Sequence, residues 1–193
     1  MPANPELTAA RDLVYQGVGR NVLQFQRLEL LLKHLLGCHQ GIYHAETLEE
    51  DMMERLKAQE KKTFGMLAGE WFGQMAPSTP PKDPALGEEI GRRGHRFNIT
   101  LTEADQQRWQ AQLKALVQER NQLVHTSLLN WDLVSLEGCQ AILTQLDAQR
   151  ERIRIEWENV KKCHEVFLQG LEHIREKLEN GDVVHVFVQD TET

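Results

Sequence analysis

At 193 residues, with 40% hydrophobic and 26% charged, the chain has the composition of a soluble globular protein and the length for one domain with a sizeable core. Its net charge of −7 argues against sequence-independent nucleic-acid binding through a broad basic surface, while leaving room for a local pocket that holds one phosphate. No apolar run reaches the roughly 18 residues of a membrane span, and residues 1–11 lack the basic and apolar regions of a secretory signal. Cys38, Cys139 and Cys163 are scattered and odd in number, which fits neither a zinc pattern nor a disulfide framework and predicts a reduced, cytoplasmic location with no metal or other cofactor.

The first periodic segment runs from about residue 5 to 36. Val14, Val18, Val22, Phe25, Leu28, Leu32 and Leu35 recur at three- and four-residue steps, as one buried helix face requires, and Gly37 supplies a stop signal. Thr47-Leu48-Glu49-Glu50 fits a capping box for a second helix, whose apolar face is Met53, Leu56, Phe64, Leu67, Trp71 and Met75. Residues 77–94 are rich in Pro, Gly and charge and read as a loop. Phe97, Ile99 and Leu101 alternate with polar residues and predict a short strand at 97–101, giving a loop insertion that covers about 77–101.

Thr102 with Asp105 marks the start of a third helix, with Trp109, Leu113, Leu116, Val117 and Val124 inward and Asn130-Trp131-Asp132 as the interruption. Ser135 opens the last and longest segment, which ends at Asn180-Gly181. Ile142, Leu146, Ile153, Trp157, Val160, Phe167, Leu171, Ile174 and Leu178 lie there in helical register. Unbroken, that segment spans on the order of 65 Å, so it either bends or packs along a partner. The tail, 181–193, contains a β-prone run at 183–188 that is a candidate to pair with 97–101. The reading is a single all-α domain over 1–193, a bundle of long antiparallel helices with a short β element at 97–101 and 183–188.

One short stretch carries chemistry. In Arg120-Asn121-Gln122-Leu123-Val124-His125, arginine can clamp a phosphate and histidine can move a proton near neutral pH. On an ideal helix Arg120 lies within about 20° of the Trp109 and Leu113 directions, so it interrupts the apolar stripe and needs a partner. That partner is either a structural carboxylate, such as Glu29, or a ligand. His125 lies about 140° further round the same helix, so the two side chains do not converge on one small ligand from a straight helix. Either the helix loosens near 124–128, or a two-fold dimer shares the site.

The six residues resemble the Arg-x4-His signature of HEPN domains, including the Asn that follows the Arg. The long opening helix with Phe25-Gln26-Arg27-Leu28-Glu29 is similar to the opening helix of that family. The resemblance implies a homodimeric, metal-independent endoribonuclease. In it His125 is the general acid or base, Arg120 holds the scissile phosphate, and Asn121 orients one of them. It also implies a toxin or phage-defence role, with a cognate antitoxin or regulatory protein as partner. Some HEPN toxins carry a modifiable tyrosine two positions after the histidine; here Ser127 stands there, which argues against that mode of control. The competing reading is a catalytically inactive helical binding module of immunity or antitoxin type, whose acidic charge suits a basic partner.

Three other groups complete the survey. Arg92, Arg93, His95 and Arg96 form a compact basic cluster that either guides RNA backbone or is a solvated turn; Arg92, Arg93 and Arg96 are the substrate-binding candidates. Cys38, His39 and His44 read as a helix end and polar loop rather than a zinc site, for want of a fourth ligand. His34 reads as a boundary residue of the first helix.

Overall fold

The computed structural model describes residues 4–44, 48–75 and 92–179. Helix α1, Pro5–Cys38, begins where Asn4 and Pro5 together deal with free N–H groups. The Asn4 side chain accepts from the Glu6 N–H at 3.1 Å, and Pro5 has no N–H to leave unpaired. Gly37, expected as the stop, lies inside the helix, which runs on to Cys38 and is capped by the His39 N–H on the Leu35 carbonyl at 2.8 Å. Its absent side chain instead admits helix α2, Leu48–Glu60: a Cβ on Gly37 would stand 2.8 Å from Leu56 Cδ2.

The expected second helix is two. After α2 the chain breaks at Lys61-Lys62-Thr63, and α3 runs Phe64–Gln74 with Thr63 as N-cap, its hydroxyl accepting from the Met66 N–H. Phe64, Leu67, Trp71 and Met75 are buried as expected, but Met53 is exposed and Met52 packs on the core in its place. The capping box at Thr47 lies outside the described residues.

Strand β1, Gln40–His44, pairs antiparallel with β2, Arg92–Arg96, in the register Gln40↔Arg96 to His44↔Arg92. The last part of the expected loop at 77–94 is therefore strand, and so is the expected basic turn. The strand predicted at 97–101 does not form. The Phe97 N–H goes to the His39 carbonyl and the Ile99 N–H to the Met75 carbonyl, both at 2.6 Å, so the donors serve two different elements rather than one ladder. The alternation there records burial: Phe97 is buried, and Ile99 and Leu101 pack against the core. The β-prone run at 183–188 and the tail at 181–193 lie outside the described residues.

Helix α4, Glu103–His125, starts as predicted, with Thr102 accepting from the Asp105 N–H at 3.1 Å. One turn, α5 (Ser127–Asn130), and the irregular 131–135 lead into α6, Leu136–Glu179. In α4 the buried residues are Trp109, Leu113, Leu116 and Leu123; Val124, expected inward, is exposed.

Helix α6 is continuous over 44 residues, about 66 Å at 1.5 Å per residue. Its buried residues from Cys139 through Ile142, Leu146, Gln149, Ile153, Glu156 and Val160 alternate three- and four-residue steps, and the buried face of α1 also advances by threes and fours. The two helices pack along each other, and their contacts climb together: Gly17 with Leu146, Asn21 with Gln149, His34 with His164. They are therefore parallel, which corrects the expectation of an antiparallel pair. Other neighbours are antiparallel, as α1 with α2 (Lys33 to Glu60, Gly37 to Leu56), α3 with α4 (Gly65 to Val117, Trp71 to Trp109) and α4 with α6 (Trp109 to Glu156, Glu119 to Arg152). The reason is parity. Each helix reverses on the one before it, and with α2 and α3 separate, the five helices other than the single turn α5 bring the last back parallel to the first. The architecture is an all-α helical bundle with a two-stranded β ribbon at one end.

The α1–α6 seam carries a polar layer, in which Asn21 Nδ2 donates to the Leu146 carbonyl at 2.8 Å and to Gln149 Oε1 at 3.0 Å, both residues buried. Where α6 begins, Ser135 Oγ accepts from the Gly138 N–H at 2.9 Å, while Asp132 accepts from Ser135 Oγ and the Val134 N–H. These bonds, the Ser135 hydroxyl foremost, hold the Asp132 carboxyl below the usual carboxylate range. A Cβ on Gly138 would stand 2.6 Å from Asp132 Cγ and clash with the Asp132 carbonyl. Gly138→Ala should therefore destabilise the fold by about 1 kcal/mol, through a displaced cap. Urea denaturation checks this, because alanine in an open helix position would stabilise instead.

Candidate functional site

Arg120-Asn121-Gln122-Leu123-Val124-His125 forms the last two turns of α4. The helix is regular through His125, so the expected loosening does not occur within the motif; the break follows it, at Thr126. There the Gln122 carbonyl accepts three donors: the Thr126 N–H at 2.9 Å, Thr126 Oγ1 at 3.2 Å and Ser127 Oγ at 3.0 Å. Ser127 thus ties off the helix end, and His125 stands in the final turn.

Arg120 points along the stripe that buries Trp109, Leu113 and Leu116, yet it is only half-buried. Gly65, at the start of α3, meets Val117, so α3 begins level with the turn before Arg120, while Leu123, further along the same stripe, is still buried. Among the described residues Arg120 has no ion pair. Its hydrogen bond runs from Nη1 to the neighbouring Asn121 Oδ1 at 3.2 Å. The expected carboxylate, Glu29, is paired with Lys33 at 2.8 Å, and the adjacent Glu119 is taken by Arg152 through two bonds of 2.8 and 3.0 Å. Asn121 and His125 are exposed. Val124 within the motif, and Leu129 and Val134 in the segment that follows it, are exposed by 47%, 85% and 79%. The local arrangement is therefore an uncommitted guanidinium, pre-set by an amide, with an accessible imidazole about 140° further round the helix.

The structure brings Arg120 and Asn121 together and sets Arg92, Arg93 and Arg96 apart from them. The neighbouring Phe97 ring packs on Phe167 with centroids 5.5 Å apart, whereas the motif lies near Arg152. Arg152 and Phe167 are 15 residues apart on α6 (167 − 152), roughly 22 Å of helix. The basic strand and the motif thus occupy different ends of the bundle.

The residues near the end of α1 behave as a helix terminus. His39 is buried, its Nδ1 lies 3.0 Å from the Leu36 carbonyl, and Cys38 is buried, which raises its thiol pKa. Among the described residues no group of three or more His, Cys, Asp and Glu gathers for a metal, and no helix is long and apolar enough to cross a membrane.

Sequence reasoning missed two sites. Glu156, a carboxylate in the buried face of α6, accepts from Trp109 Nε1 at 2.6 Å. Its signal was visible, since residue 156 occupies the step between Ile153 and Val160 where an apolar side chain is expected. His34, read as a boundary residue, packs edge-on against His164, a pairing that no local pattern announces. Comparison of the chain with protein-family models, with curated proteins and with solved structures gave no match.

Proposed function

We propose that this protein is a metal-independent endoribonuclease of HEPN type, with Arg120, Asn121 and His125 as its active site. The observation that carries the reading is the state of Arg120: half-exposed, without a carboxylate partner among the described residues, and bonded only to Asn121 in the same motif. A structural arginine would be paired; one that awaits a phosphate has this environment. In the proposed reaction His125 takes the proton of a ribose 2′-hydroxyl, and the 2′-oxygen attacks the adjacent phosphorus. The 5′-oxygen leaves and takes a proton from solvent water, and the product ends in a 2′,3′-cyclic phosphate. Arg120 binds the non-bridging oxygens as charge develops on them, and the Asn121 amide holds the guanidinium in place.

Because α4 is regular through His125, one copy does not bring Arg120 and His125 to one phosphate. The reading therefore includes a two-fold homodimer in which Arg120 of one protomer meets His125 of the other. Val124, Leu129 and Val134 offer apolar surface next to the motif for that contact. Arg92, Arg93 and Arg96 then serve as a second contact to RNA backbone, away from the cleavage point. A cytoplasmic toxin or phage-defence effector held by a cognate antitoxin is the setting this chemistry fits.

A second reading has its own support. The net charge of −7 and the exposed Leu129 and Val134 also suit a catalytically inactive binding module that neutralises a basic protein. RNA cleavage in EDTA by the wild type, Arg120→Ala and His125→Ala separates the two. Cleavage by the wild type alone, ending in a cyclic phosphate, is the expected result. Equal cleavage by all three, or none by any, overturns the nuclease reading.

A further inference from the structure

His34 of α1 and His164 of α6 face each other across the parallel seam with ring centroids 5.1 Å apart and planes at 77°. His164 Nε2 is buried and lacks a hydrogen-bond partner among the described residues. Above and below them the seam is apolar, with Leu32 and Leu35 on α1 and Val160 and Phe167 on α6. Two neutral imidazoles pack in this edge-on manner without penalty. A positive charge on His34, which is itself exposed, is repelled where it faces the His164 ring, and water screens part of that repulsion.

The surrounding charges do not relieve that repulsion. On α1, Lys33 is engaged with Glu29 at 2.8 Å, and Arg27 stands two turns before His34. On α6, Lys161 lies 5.4 Å from the Trp157 ring centre and pairs with Glu165 at 3.3 Å, and Cys163 is the adjacent residue. From α2, the Glu60 carbonyl accepts from Lys33, and Arg55 donates to the Gln40 carbonyl. Among the described residues neither histidine is in ion-pair contact with a carboxylate, so a proton on His34 arrives without a counter-charge. A shared metal is the other use for two facing imidazoles, but no third ligand stands with them among the described residues.

We propose that His34 and His164 form a pH-sensitive latch, whose ring contact closes the C-terminal half of the α1–α6 seam while His34 is neutral and opens it when His34 is protonated. The opening would loosen the end of α1 that leads into β1, leaving the N-terminal half of the seam in place. Burial, and then the neighbouring His164, push the His34 pKa below its ordinary value. The sign follows. The fold prefers the neutral ring, so its contribution is fully present above the ordinary imidazole pKa of about 6.5 and is lost as pH falls through the lowered value. The latch is independent of the nuclease reading.

Backbone hydrogen exchange tests it, in EDTA at about pH 7.5 and about pH 5.5 and corrected for intrinsic exchange, on the wild type, His34→Gln and His164→Gln. In the wild type, peptides covering 28–38 and 157–168 should lose about tenfold more protection on acidification than those covering 10–21 and 139–149. Both glutamine variants should remove that difference. Should His164→Gln fail to fold, His34→Gln, at the rim of the seam, decides alone. A loss of protection that is uniform along both helices, or unchanged in His34→Gln, overturns the latch.

Discussion

Arg120→Ala and His125→Ala proteins, each inert alone, should recover about a quarter of wild-type RNA cleavage when equal amounts are combined into mixed dimers. Alone, loss of the histidine removes general acid–base catalysis, worth about 10²–10⁴ in rate, and loss of the arginine removes charge stabilisation of about 10²–10³. The recovery follows from the regularity of α4. Arg120 and His125 leave an unbroken helix about 140° apart, so a working pair draws one residue from each protomer. In a mixed dimer one site has lost both residues and the other has kept both. Random pairing makes about half the dimers mixed, and each of these has one working site of two, hence about a quarter. Gel-based cleavage assays after co-refolding measure it. A mixture that stays at the level of the single variants rules out the shared site, while activity above the quarter would point to preferential pairing of unlike chains.

The second large effect concerns stability. Glu156 is buried between α6 and α4, and its carboxylate accepts from Trp109 Nε1 at 2.6 Å, while the Trp109 ring packs edge-on against Trp71 and Phe72. Burial pushes its pKa above the usual glutamate value, against the opposing bonds from Trp109 and Asn159. The fold therefore binds the proton more tightly than the unfolded chain does. The associated stability is fully present below the ordinary glutamate pKa and is lost as pH rises through the raised one. Glu156→Gln keeps an acceptor for Trp109 and removes the charge. It should denature at higher urea than the wild type at about pH 7.5 and at nearly the same urea at about pH 4. Glu156→Leu leaves the indole N–H buried without an acceptor and should cost about 1–3 kcal/mol. A glutamine variant no more stable than the wild type at the higher pH would show that the ionised carboxylate is well accommodated.

Much of the bundle was legible before any coordinates. Three- and four-residue spacing placed the buried faces of α1 and α6, Thr102 placed the start of α4, and the Asn130-Trp131-Asp132 interruption separated α4 and α5 from α6. These features are local, set by capping chemistry and helical periodicity, and a window of a few turns contains them. The break at Lys61-Lys62-Thr63 was also local, but the apolar period continues across it from Leu56 to Phe64, so pattern alone read one helix where there are two. That single omission reversed the expected direction of the last helix against the first.

The motif shows the same division. Residue types and spacing at Arg120-Asn121-Gln122-Leu123-Val124-His125 identified groups able to hold a phosphate and move a proton, and the chain alone determined that they share one helix. The tertiary structure decided that Arg120 is half-exposed rather than sealed, although Leu123, further along the same stripe, is buried. It also decided that Glu29 is spent on Lys33, that the basic strand lies at the other end of the bundle, and that His34 meets His164. Each of these is a contact between residues far apart in the chain, set by where neighbouring helices start and which way they run. Periodicity fixes a side chain's direction around its own helix; only packing decides what, if anything, stands in that direction.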